Sequence, residues 1–412
     1  MTTVSLAKEF SVQRLQAAVQ LVTGLLDTDW AYPDSAGALR LIQVALQEQL
    51  NEILDLDDDT DEKIIRRYGI EAQATVSDLM GFIGFIVRSS DVRNSFEIYA
   101  PIKEISSALL GDDLKIVVGS EWSYNPFVYP LPPSRLENYI FVGLPASEAQ
   151  NALLVPVAGH ELGHAVWRRT TVRSNLVSKI AAAVIEEFRK RWSDVKTLFA
   201  SGVTPETIDT DLMALEVWGR SNSFAQRQCE EIFCDLLGLW IFGDAFLAAF
   251  EYILSPDSGR RTSEYYPPNK VRARHLARAA ADWDFTSRGS LPEAFSEPDA
   301  PRDTIAAIAQ DVTQMMVPDI QRVVEKLCSD CGLVRPSEEG VNQATERLRK
   351  ISPTGKQTPA EILVAAWAIR DDLDRWSLPG VKPERKLPIL NDLVLKSFEV
   401  HEWINYDGQR AC

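Results

Sequence analysis

The residues best placed to do chemistry are two histidines. The chain has only four histidines in 412 residues, and two of them, His160 and His164, sit in one pentapeptide, HELGH. On a helix a spacing of four puts both imidazoles on one face, one turn apart. Two neutral imidazoles so placed can share one Zn²⁺ at ligand distances of about 2.0–2.1 Å. Glu161 lies about 100° around the same helix, where its carboxylate can serve a metal-activated water as general base without ligating the metal. The neighbours Val157, Ala158, Leu162, Gly163, Ala165 and Val166 are uncharged, as a helix buried beneath a cleft requires. Pro156 is compatible with the first turn of that helix.

A catalytic zinc needs a third protein ligand and an open fourth position. The long metzincin pattern would put Gly at 167 and His at 170, but the chain has Trp167 and Thr170. A second helix offers a better partner. In CEEIFCDLLG (229–238), Glu231 and Asp235 share a face amid Ile232, Phe233, Leu236 and Leu237. Carboxylates in so apolar a helix are costly unless something compensates them, and a metal and an imidazole N–H would do so. Glu231 is therefore expected to ligate zinc, and Asp235 to accept from the other ring nitrogen of a metal histidine. Glu230 is the adjacent candidate, but only Glu231 has a carboxylate four residues on.

HELGH followed 67 residues later by an E-x-x-x-D helix resembles the gluzincin metallopeptidases. Within them it is most similar to the family of the CAAX prenyl proteases and the heat-shock membrane protease. SEAQNALLVPVAGHELGHAVWRR (147–169) is similar to that family's metal helix and its approach. SEYYPPNKVR (263–272) is similar to a further segment, with Tyr266 where the family has His, and Pro267, Pro268 and Arg272 matching. The likeness covers roughly residues 136–285. It implies a zincin-like core, one zinc per chain, and peptide-bond hydrolysis with Glu161 as base. It also implies an oxyanion donor, for which Tyr266, Tyr265 and His275 all remain open, and a strand along the substrate cleft, for which Tyr139–Leu144 is the candidate. The family's membrane-spanning helices have no counterpart in the sequence, so its membrane-protein and prenylated substrates do not transfer.

The elements that must position these residues are mostly helical. Phe10, Val12, Leu15, Ala18, Val19 and Val22 recur at helical spacing, and helical patterning runs from about 10 to 110. LKIVVG (114–119) and YIFVGL (139–144) read as strands, with a proline-rich loop over 125–133 between them. Asp59, with Glu62 three residues on, reads as a helix cap rather than part of a calcium loop. The apolar run 79–87 is far short of the ~20 residues a bilayer span needs and reads as a buried helix. Residues 287–301 read as a linker, with helices over roughly 303–328, 359–375 and 385–398 beyond it.

The expected fold is mainly α with a small β-sheet, an α+β arrangement. A helical region (1–112), a zincin-like core (113–286) and a C-terminal helical region (302–412) are the expected domains. A formal net charge of −16 disfavours nucleic acid and anionic membranes as partners. The sparse cysteines, including the single pair Cys328 and Cys331, fit neither a disulfide framework nor a four-ligand zinc site, and suit a reducing cytoplasm. The function expected is a cytoplasmic zinc metalloendopeptidase acting on a protein or peptide. The helical flanks are available for recognition or for a regulatory partner. An aminopeptidase, and a zinc-stabilised binding module without proteolysis, are the alternatives.

Overall fold

A computed structural model of the chain describes residues 3–57, 60–91, 94–122, 124, 126–129, 132–256, 263–285 and 290–410. The fold is mainly α with one small sheet, as the sequence patterning predicts. The chain divides into two compact units, Met1–Tyr99 with Gly111–Gln150, and Ala100–Leu110 with Asn151–Cys412.

The first unit is built on helices α1 (Thr3–Leu26), α2 (Pro33–Leu54) and α3 (Glu62–Ser89). Ala38, Leu39, Ile42, Leu46, Leu50 and Ile53 line one face of α2, and they share a core with Leu15, Ala18 and Val22 of α1 and Leu79, Ile83 and Ile86 of α3. The cap of α3 is Asp61, whose carboxylate accepts from the Lys63 N–H at 2.7 Å, because the helix begins at Glu62. The expected cap, Asp59, lies outside the described residues. By length and composition α3 is the one helix among the described residues that could cross a membrane. Within the predicted apolar run its Leu79, Ile83, Phe85 and Ile86 are buried, while Gly81 and Val87 are exposed.

Strands β1 (Lys115–Glu121), β2 (Phe127–Tyr129) and β3 (Tyr139–Pro145) form one sheet in the order β1-β3-β2. β1 runs parallel to β3 with Val117 opposite Phe141, and β2 runs antiparallel with Phe127 opposite Gly143. The Phe127 ring fills the space where a Cβ on Gly143 would sit. β2 falls where only a proline-rich loop is expected, and its three residues are too few for a period-two pattern to register. β3 is the middle strand, so over Phe141–Gly143 both of its edges are paired. Over that stretch a further strand cannot add to β3.

The second unit holds α4 (Tyr99–Leu110, all but its first residue), α5 (Val157–Arg169), α6 (Val172–Lys190), α7 (Trp192–Val195), α8 (Leu212–Phe242) and α9 (Asp244–Leu254). It continues with α10 (Asn269–Asp282), α11 (Thr304–Asp330), α12 (Glu338–Arg349), α13 (Pro359–Asp371) and α14 (Pro383–Arg410). Its axis is α8. Asp211 caps the start by accepting from the Met213 N–H at 2.8 Å, and Gly243, at φ 53°, ends it and turns the chain into α9. Leu212 and Met213 are exposed, but every residue from Gln228 to Leu239 is buried. Such all-round burial marks a core helix, and each buried Leu, Ile or Phe contributes about 1.5–3 kcal/mol.

The domain boundaries differ from those expected. The sheet belongs with α1–α3 because Phe85 of α3 packs on Gly119 of β1. The C-terminal helices belong with the unit that carries α5 and α8. Thr313 of α11 donates to Gln228 Oε1 of α8 at 3.1 Å, and Ser221 of α8 donates to the Ile305 carbonyl at 3.0 Å. The described part of the expected linker is packed rather than free: Leu291 and Phe295 are buried, and Ser255 donates to the Ala294 carbonyl at 3.1 Å. Helix α12, with no counterpart among the expected helices, starts where the Ser337 hydroxyl accepts from the Gly340 N–H at 3.0 Å.

Candidate metal centre

Helices α5 and α8 meet through small residues. An added Cβ on Gly163 would lie 2.8 Å from Cys234 Cα, and one on Gly159 would lie 3.1 Å from Gly238 Cα. Position 159 therefore faces 238 and position 163 faces 234, which makes the crossing antiparallel. Nothing larger than glycine permits so close an approach, and it brings two turns of α5 against the acidic turns of α8. Trp167 closes the crossing against Phe233, with ring centroids 5.5 Å apart.

Across that crossing His160 Nδ1 lies 2.9 Å from Asp235 Oδ1, and His164 Nδ1 lies 2.9 Å from Glu230 Oε1. An ionised carboxylate only accepts, so each Nδ1 carries the hydrogen and each Nε2 is left to bind. Both Nε2 atoms face the same carboxylate: Glu231 Oε2 is 3.4 Å from that of His160, and Oε1 is 3.6 Å from that of His164. The two distances, to different oxygens of Glu231, are close to the roughly 3.4 Å that separates ligand atoms on tetrahedral arms of 2.0–2.1 Å.

Cys234 also has its sulfur within 4.8 Å of a ring nitrogen of each histidine. One observation favours Glu231 as the third ligand. With the Nδ1 hydrogens held by Asp235 and Glu230, the nitrogens left to face a metal are the two Nε2 atoms, and it is Glu231 that lies near both. The Cys234 thiol is fully buried against Gly163, and burial and the surrounding Glu231, Glu230 and Asp235 charges push it well above the ordinary range.

Arg272 of α10 holds the back of the site. Its Nε and Nη2 donate to Asp235 Oδ2 and Oδ1 at 2.8 and 2.7 Å, a two-pronged bond in which both partners are buried. Burial would raise the Asp235 carboxyl, but Arg272 and His160 outweigh it and hold it down at about 2. Burial would weaken His160 as a base, but Asp235 and Glu231 push it up to about 10. The Glu161 carboxyl, 6% exposed, is raised by burial, with the histidine charges opposing.

The remaining sequence-predicted residues divide. Tyr266 is half-exposed, and its phenol is raised first by partial burial and then by the nearby Glu231 charge, with Glu161 acting the same way. Tyr265 instead sets its ring edge-on against Phe224, centroids 5.3 Å apart. His275 has a buried Nε2 with no hydrogen-bond partner among the described residues, and burial lowers its basicity. Gln228 fixes the Tyr265–Tyr266 segment by donating to the Glu264 carbonyl at 2.9 Å.

Sequence reasoning missed one participant, Glu230, as the partner of His164. The signal was present. If an antiparallel crossing pairs 160 with 235, then 164 falls opposite 230–231. Cys328, on α11, and Cys331, just after its end, are free thiols. No protein-family model, no curated protein and no solved structure matches this chain.

Proposed function

We propose that this chain is a zinc-dependent metalloendopeptidase of protein or peptide substrates, with His160, His164 and Glu231 holding the metal and Glu161 as general base. The observation that carries this reading is the shared carboxylate: both Nε2 atoms converge on Glu231 while both Nδ1 atoms are held by other acids. When bound in such a trio, zinc supplies Lewis acidity and makes water a nucleophile near neutral pH.

The chain's own residues do the rest. Glu161 follows His160 on α5, and its raised carboxyl suits a group that must take a proton from the attacking water and return it to the leaving amine. Asp235 keeps the hydrogen of His160 on Nδ1, and Arg272 keeps Asp235 ionised and immobile. Tyr266, whose phenol feels the Glu231 and Glu161 charges, is the first candidate donor for the developing oxyanion, with Tyr265 and His275 as the alternatives.

The test is a proteome-wide map of new protein N-termini in cells expressing the wild type or Glu161→Gln. Termini that appear with the wild type alone support the reading and name the substrate. Identical maps, with both proteins folded and zinc-loaded, would sink it in favour of a metal-stabilised binding module.

A further inference from the structure

The two histidines are held by carboxylate arms of different construction. Asp235, on the His160 side, is locked by one buried arginine. Glu230, on the His164 side, is 4% exposed, yet it borders the solvent through two other arginines. Its Oε1 takes the His164 Nδ1–H at 2.9 Å and the Arg168 Nε–H at 3.2 Å, and its Oε2 meets Arg227 Nη1 at 3.4 Å.

The spacing explains why this acid is needed. Glu230 and Glu231 are neighbours on α8 and point about 100° apart, so one carboxylate cannot do the work of both. Glu231 faces the two Nε2 atoms, which leaves the far side of the His164 ring to Glu230. Arg168 lies one turn beyond His164 on α5, and Arg227 lies three residues before Glu230 on α8. The arm is thus anchored from both helices. A third acid in this apolar stretch of α8 would be a liability without such a task.

We propose that Glu230 is a positioning residue of the metal centre: with Arg168 and Arg227 behind it, it fixes the orientation and tautomer of His164 as Asp235 does those of His160. The proposal rests on the zinc reading for its consequence but not for its geometry. A carboxylate on Nδ1–H raises the donor strength of Nε2, and losing such a partner costs roughly 10–100-fold in metal affinity.

Two measurements test it, on full-length Glu230→Ala and Glu230→Gln. The first is the ¹⁵N spectrum of the imidazoles in metal-free protein, tractable because the chain has four histidines. Wild-type His164 should carry its neutral-form hydrogen on Nδ1. Glu230→Gln, which keeps an acceptor, should preserve this tautomer, and Glu230→Ala should lose it. The second is zinc affinity by competition with a chromophoric chelator. Glu230→Ala should bind roughly 10–100-fold more weakly, with the amide variant intermediate because it restores the acceptor but not the charge.

Should Glu230→Ala fail to fold, the amide variant decides through its several-fold loss of affinity at an unchanged melting temperature. Wild-type affinity within twofold in either folded variant, or a His164 tautomer unaltered in Glu230→Ala, overturns the proposal. If the wild type itself takes up no zinc, the metal reading fails, while the tautomer still decides the role of Glu230.

Discussion

Each residue of the centre is defined by which atom it offers. The histidines give Nε2 because their Nδ1 hydrogens are committed to Asp235 and Glu230. Glu161 offers a carboxylate that burial makes more basic. Glu161→Gln should therefore retain zinc and lose roughly 10²–10⁴-fold in kcat, which a steady-state assay on a cleaved peptide would measure. Arg272→Leu takes the two-pronged partner from buried Asp235 and leaves it only the His160 Nδ1–H, so its denaturant midpoint should fall by the equivalent of roughly 3–5 kcal/mol. The cluster also sets a pH dependence in metal-free protein. His160 is raised to about 10, so its contribution is full below its unfolded pKa of about 6.5 and is lost as pH rises toward 10. Asp235 is depressed to about 2, so its contribution is present above its unfolded pKa of about 3.9 and is lost as pH falls toward 2. Melting temperatures in chelator should thus decline from pH 6 to pH 9. A melting temperature that rises over that range would contradict the charge arrangement.

The elements explain how such residues meet. HELGH and E-x-x-x-D were legible because four-residue spacings on helices are geometric statements, and Gly163 inside the first motif, with Gly159 just before it, sets how closely α5 can approach α8. What the sequence hid was the sense of the crossing, and with it Glu230. It also hid β2, whose three residues gain their strand conformation from pairing with β3. Gly163→Ala tests the crossing. Its methyl group would meet Cys234 Cα at 2.8 Å, so the helices must part, at a cost of roughly 1–3 kcal/mol. We expect a lower melting temperature together with weaker zinc binding by chelator competition. Unchanged values for both would mean that the crossing is not the constraint described.

At the scale of the molecule, the mainly α character was legible from periodicity, while the division into units was not. Contacts distant in sequence decide that division, such as Thr313 to Gln228 and Ser221 to Ile305, and local patterning carries no record of them. The C-terminal helices therefore complete the unit that holds α5 and α8. A chain ending at residue 301 would lack α11 and uncover the apolar side of α8 that it protects. It should be insoluble or lack a cooperative thermal transition, whereas a soluble fragment melting like the whole chain would show the C-terminal region to be a separate domain.

All of this turns on whether the trio of ligands holds a metal. The most direct measurement is elemental analysis of purified full-length protein beside Glu231→Gln and Cys234→Ser. The expected result is one zinc per chain in the wild type and in Cys234→Ser, and little or none in Glu231→Gln. A wild type without stoichiometric metal would contradict the account, as would zinc that survives loss of Glu231 and departs with Cys234.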